Sequence, residues 1–166
     1  KKCEGLQKEF EGVYDVKITP MTDTAAAIRQ STLVVTQTTT EKSFVTADLV
    51  KKGSTLITMA SNEIELGVLR AADQIFVDYW KQMITNKGKG VTLLHEAGEL
   101  NHEDVVEMHQ LTRGLHPGRK SEDETLVCCS MGLAALDIMI ANRLYKKAKE
   151  MGIGQKLKLW DNPLWV

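Results

Sequence analysis

The sequence predicts an α/β fold, a mostly parallel sheet with helices on both faces. Three observations carry that expectation. Thr32 to Thr36 (TLVVT), Ser54 to Ala60 (STLITMA) and Thr125 to Cys129 are short apolar runs of the kind found in buried strands; TLVVT in particular reads as covered on both faces. Helical patterns alternate with these strands, which implies parallel pairing through right-handed crossovers. Thr125 to Gly154 reads as strand, three-residue turn and long helix, and such junctions are where α/β proteins bind ligands.

Each element has its own signal. Lys1 to Glu11 is a helical pattern, with Leu6 and Phe10 four apart among Lys and Glu. Val16 to Thr19 reads as a short strand and Asp23 to Gln30 as a helix. A threonine-rich loop, Gln37 to Thr40, closes the end of TLVVT. Thr46 to Val50 is a short helix that stops near Gly53, and Glu63 to Ala72 is a helix with Ile64, Leu66 and Leu69 facing inward. Ile75 to Asp78 makes a further strand. After Trp80 the periodicity weakens: Asn86 to Gly90 is a loop, Glu103 to Arg113 a helix, and Gly114 to Glu124 a second loop. In the last helix Leu133, Leu136, Ile140, Leu144, Ala148 and Met151 share one face. Lys146, Lys147 and Lys149 suit the negative end of its dipole, and Gly152 supplies the left-handed residue that ends it. The tail, with Trp160 and Trp165, is expected to pack on the core or on another subunit.

Composition narrows the function classes. Hydrophobic residues at 43% and charged residues at 26% are those of a soluble globular protein. A net charge of −1 without a basic block argues against nucleic acid as a partner. No apolar run approaches the roughly 20 residues of a membrane helix, so no membrane partner is expected. Three cysteines, two of them the adjacent pair Cys128 and Cys129, make no disulfide framework and suit a reduced, cytoplasmic setting. That pair points to opposite faces of a strand and reads as small buried hydrophobes.

Candidate chemistry taken from the residues alone stays open. Threonines at strand ends either bond a ligand or satisfy loose backbone groups, and the second reading is favoured. His95, His102, His109 and His116 fall seven apart, but Gly98 and Gly114 interrupt any helix that would align them. His95-Glu96 also lacks the second histidine of H-E-x-x-H, so no metal site is expected. Ser130 has no G-x-S-x-G elbow around it. Asp137 is open between a partner inside the fold and a functional role.

Ordered motifs add a family resemblance. The apolar strand followed by Ser130-x-Gly132, Asp137, an Ala/Tyr-bearing helix and Gly152-Ile153-Gly154 resembles the C-terminal signature of the ornithine cyclodeaminase/mu-crystallin family. Pro117-Gly118-Arg119 and the acidic run after it belong to the same pattern. From about Val16 onward, Thr36-x-Thr38-Thr39, the strand ending at Ala60 with Ser61 and Asn62, Glu65-Leu66, Ala72-Asp73 and Val77-Asp78 are similar to further family positions.

The resemblance implies a Rossmann-like domain that binds NAD or NADP. Residues 1–154 would form it and residues 155–166 a tail. Thr38, Met59, Ala60, Ser61, Asn62 and Ser130 match cofactor-contacting positions, and Met131 a position whose backbone faces the substrate. Asn62 falls where cyclodeaminases and related dehydrogenases carry a proton-handling aspartate, which makes it the candidate catalytic position. Glu63 stands where a lysine is often found, and no role is carried over to it. The sequence has no G-x-G-x-x-G, and the family's N-terminal substrate domain has no counterpart here. The fold is therefore expected to be incomplete at its N-terminal end, part of a longer NAD(P)-dependent enzyme and inactive alone. The implied substrates are small amino or imino acids, in cyclodeamination (a lyase step), alanine dehydrogenation or ketimine reduction. A homodimer is implied as well. Two alternatives stand beside the enzyme: a non-catalytic binder of cofactor or ligand on the same fold, and an α/β interaction domain sharing only the scaffold.

Overall fold

The computed structural model describes residues 2–60, 62–158 and 160. The chain divides into two compact units, residues 1–131 and 132–166.

In the first unit the elements run α1 (Lys2–Phe10), α2 (Thr24–Gln30), β1 (Leu33–Thr36), β2 (Thr55–Thr58), α3 (Leu66–Arg70), β3 (Gln74–Val77), α4 (Trp80–Met83), α5 (Gly90–Glu96), β4 (Val105–Glu107), α6 (Met108–Thr112) and β5 (Leu126–Cys129). Single-turn 3-10 helices at Ala47–Leu49 and His102–Asp104 precede β2 and β4. The five strands form one sheet in the order β1-β2-β5-β3-β4, and every pairing is parallel. This is the Rossmann-like α/β architecture expected. β5, last in sequence, fills the slot between β2 and β3 and is the middle strand.

Register places the strand ends in one line. Thr36 pairs with Thr58, Thr58 with Cys129, Cys129 with Val77, and Val77 with Glu107. The carboxyl ends of all five strands thus form a single row, and the loops leaving it share one edge of the sheet. The core beneath includes Leu56, Val127 and Val77 from the strands, and Val68, Leu69, Met83, Val91 and Leu94 from α3 to α5.

β1 differs from its expectation. It lies at the end of the sheet, with Leu33 58% and Val35 60% exposed. The run of apolar residues is real, but among the described residues only the Val34 and Thr36 side of the strand is well covered.

Two further expectations are corrected. Val16 to Thr19 is not a strand; Val16 is exposed, and the segment is tied by the Gln7 side-chain amide, which donates to the Ile18 carbonyl at 3.0 Å. Two alternating apolar residues do not make a strand without a ladder to join. Glu103 to Arg113 is not one helix. Val105 to Glu107 pair with Ile75 to Val77 as β4, because β3 offers an open edge to the β-branched Val105-Val106. Two capping boxes bracket the change: Asn101 with Asp104 before the strand, and Glu107 with Gln110 at the start of α6.

The second unit is dominated by α7 (Ala134–Met151), which ends at Gly152 with φ 66°, the left-handed residue expected. Leu136, Ile140 and Leu144 are exposed on it. In the tail, Trp160 is 43% exposed, and Trp165 lies outside the described residues. Among the described residues no helix is long and apolar enough to cross a membrane.

Candidate functional site

The row of strand ends carries an unusual density of polar groups around one buried carboxylate. Glu63 follows the loop that leaves β2, and its side chain is fully buried. Its backbone is pinned there: the Glu63 carbonyl accepts from Phe44 N and Val45 N, both at 3.1 Å. Glu63 Oε2 accepts from Thr36 Oγ1 at 2.7 Å, Thr58 Oγ1 at 2.9 Å, Met59 N at 3.1 Å and Ala60 N at 2.9 Å. Oε1 accepts from Thr38 N at 2.6 Å and Thr38 Oγ1 at 2.9 Å. Burial alone would push this acid's pKa up. The hydrogen bonds from the Ala60 backbone and from Thr36, Thr38 and Thr58 outweigh it and hold the group at about 2. The loops after β1 and β2 are thereby bound to one anion.

A buried cation joins the next pair of strand ends. Lys89, 5% exposed in the turn before α5, donates from Nζ to the Met59 and Ser130 carbonyls, each at 2.9 Å. Burial draws its pKa below the usual lysine range, against the pull of the Glu63 and Asp78 carboxylates. Asp78, just past β3, completes the set. Its Oδ2 accepts from Ser130 Oγ at 3.0 Å and from Met131 N at 2.6 Å. Glu63, Lys89 and Asp78 therefore link the ends of β1, β2, β5 and β3 in turn.

The candidate residues fall on this rim. Thr38 is exposed beyond β1, Met59 and Ala60 follow β2, and Asn62 is exposed in the turn before Glu63. Ser130 and Met131 are half-buried beyond β5. Ser61 lies outside the described residues. Thr38, Met59 and Ala60 are brought together by the Glu63 carboxylate, and Met59 and Ser130 by the Lys89 ammonium. The nearby thiols are not nucleophiles: burial raises Cys128 and pushes Cys129 up to about 12.

Glu63, Lys89 and Asp78 are what residue-level reasoning missed as site groups. Glu63 had a signal, an acid five residues behind Thr58 in an apolar strand. Lys89 had none, since it sits in a Lys-Gly-Lys-Gly loop that reads as solvent-facing.

The spaced histidines serve packing. His95 meets Trp80 edge-on at 5.1 Å, and His102 stacks on the same ring at 5.5 Å. His102 and His109 lie 3.7 and 3.6 Å from Glu107 Oε2. His116 meets Phe76 edge-on. Among the described residues no group of three or more His, Cys, Asp or Glu is arranged to hold a metal ion.

Comparison with known proteins agrees with this architecture. Residues 1–152 match the model of the ornithine cyclodeaminase/mu-crystallin family. The N-((2S)-2-amino-2-carboxyethyl)-L-glutamate dehydrogenase of Staphylococcus aureus is 30% identical over 135 residues, covering 81% of this chain and 40% of that protein. The Delta(1)-pyrroline-2-carboxylate reductase of Thermococcus litoralis, solved with NADH and L-proline, shares the fold with a TM-score of 0.81 at 20% identity. That likeness covers 93% of this chain and 49% of the reductase. An archaeal alanine dehydrogenase dimer with bound NAD superposes with a TM-score of 0.75 at 25% identity, over 95% of this chain and 49% of that one. The chain thus spans between 40% and 49% of the length of these relatives.

Proposed function

The chain belongs to the ornithine cyclodeaminase/mu-crystallin family, and from that premise we propose that it is the dinucleotide-binding portion of an NAD(P)-dependent enzyme acting on small amino or imino acids. One observation supports this most: four parallel strand ends are locked into a single polar rim by Glu63, Lys89 and Asp78. Ligands of open α/β sheets lie at this edge.

The rim suits a dinucleotide through its small residues and through hydroxyl oxygens that are left to accept hydrogen bonds. Thr38 offers an exposed side chain, Ala60 is small enough for close backbone approach, and Ser130 carries a hydroxyl already oriented by Asp78. Thr38, Met59 to Asn62, and Ser130 would hold the cofactor. The nicotinamide, when bound, supplies or accepts a hydride at the amine carbon of the substrate. Met131 presents backbone toward that substrate, its N–H fixed on Asp78. Asn62 stands at the proton-handling position and supplies hydrogen bonds only, because an amide does not ionise near neutral pH. Reduction of an imino acid or dehydrogenation of an amino acid, with the proton passing through water or another residue, fits this better than cyclodeamination.

Residues 1–154 act in this reading as the cofactor-binding body and residues 155–166 as a tail that packs on it or on a second subunit. The working assembly is a homodimer in the cytoplasm. The archaeal alanine dehydrogenase, itself a dimer, supports the first point. With no G-x-G-x-x-G turn in its sequence, the 166-residue chain alone binds dinucleotide weakly and does not turn over. Calorimetric titration with NADH and NADPH tests this: low-micromolar affinity for either would overturn the weak-binding point. Asn62 also favours a second reading, a non-catalytic cofactor or ligand binder on the same fold. Steady-state assays with amino and imino acids, on a polypeptide as long as the relatives, separate the two.

A further inference from the structure

The groups around Glu63 make, in chemical terms, an anion-binding cradle. Three backbone N–H groups, of Thr38, Met59 and Ala60, converge with the hydroxyls of Thr36, Thr38 and Thr58 on one carboxylate, at 2.6 to 3.1 Å. Oriented backbone N–H groups at the ends of parallel strands are a common means of holding a ligand's phosphate or carboxylate. Here the anion is the protein's own, and it is shut off from solvent. The backbone donors come from two loops, 37–38 and 59–60, which this group joins just beyond the β1–β2 ladder; the Met59 N–H is shared with the Thr36 carbonyl, also at 3.1 Å.

We infer that Glu63 is an internal anion and a positioning residue: its carboxylate sets the spacing of these two loops and turns their N–H groups inward. Its functional meaning rests on the reading above, which lays the dinucleotide on this rim. Two consequences follow from the donor inventory. The N–H groups of Thr38, Met59 and Ala60 are already engaged, so a ligand on this part of the rim meets side chains and carbonyls instead. A phosphate is also disfavoured there by the buried negative charge, which leaves the uncharged ribose or nicotinamide as the part that fits. Lys89 interacts electrostatically with both Glu63 and Asp78, and its ammonium donates to the Met59 carbonyl.

An added carboxylate tests the inference. In Glu63→Ala the cradle keeps its donors and has room for acetate. Amide hydrogen exchange of the chain, followed by NMR at Thr38 and Ala60, is expected to quicken at least ten-fold, while Met59, whose N–H also reaches the Thr36 carbonyl, serves as the internal control. Acetate should restore protection, chloride at equal ionic strength should not, and the wild type should ignore both. A role as mere packing would not respond to acetate. Wild-type protection in Glu63→Ala without acetate, or no gain from acetate, would overturn the inference. Should Glu63→Ala fold only with acetate present, that dependence is itself the expected result; no folding in either salt overturns the rescue. Glu63→Gln then gives a second reading, since its NH₂ group must face some of the cradle's donors. At least one of the Thr38 and Ala60 amides should lose protection, and full protection of both would count against an anion. NADH at millimolar concentration provides the separate arm: it should shift the Thr38, Ala60 and Ser130 resonances of the wild type and act more weakly on Glu63→Ala. Acetate rescue with no NADH response in the wild type would overturn the dinucleotide reading and leave the internal anion standing.

Discussion

The Lys89 ammonium donates to the Ser130 carbonyl across 2.9 Å, joining the turn before α5 to the end of the central strand β5. A second bond of the same length reaches the Met59 carbonyl at the end of β2. One side chain thus holds together two loops that are far apart in sequence. It does so at the cost of burying a charge, and the lowered pKa reflects that cost.

Lys89→Met should therefore cut both ways. Removing the charge relieves its desolvation, but two carbonyls lose a charged donor, each such loss being worth about 1–3 kcal/mol. The net expectation is a loss of about 1–3 kcal/mol, with Lys89→Arg intermediate. Urea unfolding followed by circular dichroism measures it. A methionine variant as stable as the wild type would mean that the carbonyls find other partners, and that the lysine does not secure the rim.

Glu63 predicts a specific response to acid. Its pKa in the fold is about 2, against an ordinary value of 4.5, so the unfolded chain binds the extra proton first. The stabilisation it confers is fully present above pH 4.5 and shrinks as pH falls toward about 2. A displacement of that size corresponds to on the order of 3 kcal/mol. The stability gap between wild type and Glu63→Gln should narrow by that order across the same interval. Denaturant midpoints at a series of pH values decide it, and a gap that stays constant with pH would assign the cost of the substitution to shape instead of charge.

Gly53 offers a test of the loop that leads into β2. Its φ is +80°, and a Cβ added there would run into the Glu122 carbonyl of the loop before β5. Both the left-handed backbone and the collision oppose a side chain. Gly53→Ala should cost at least about 2 kcal/mol, whereas Gly98→Ala, with a similar φ of +74° but open space around it, should cost only about 1 kcal/mol. Equal thermal shifts for the two would argue that the chain relaxes around residue 53 without effort.

These tests fall largely on groups that periodicity does not reveal. The apolar runs at 32–36, 54–60 and 125–129 announced β1, β2 and β5, because a buried parallel strand needs near-continuous apolar residues. The helix ending at Gly152 was equally plain, since capping chemistry is local. β4 was hidden because Val105 to Glu107 is too short to show a period, and it becomes a strand only through the edge that β3 presents. The rim was half legible: Thr38, Met59, Ala60 and Ser130 lie at strand ends that the sequence displays. Glu63 and Lys89 were not, because a buried charge looks like a solvent-facing one until its partners, up to 41 residues away, are known.

Asn62 carries the functional question furthest. It is exposed in the turn between β2 and Glu63, on the rim where the dinucleotide is proposed to lie. On the proposed reading, Asn62 takes the place of an aspartate that would exchange a proton with the reacting amine. An amide in its place keeps the size and the hydrogen bonds but loses the ionisation. General acid–base catalysis typically contributes about 10²–10⁴-fold, so its absence should be plain in a rate. In a polypeptide as long as the relatives, ornithine cyclodeamination should accordingly be slow. Asn62→Asp should raise it by at least about ten-fold, while imino-acid reduction, whose proton comes by another route, should change little. Proline formation from ornithine and NADH oxidation with an imino acid are the two readouts. A wild type that already forms proline at an ordinary enzyme's roughly 1–10³ s⁻¹ would show that the proton is handled elsewhere. Residue 62 would then belong to the rim's shape and not to its chemistry.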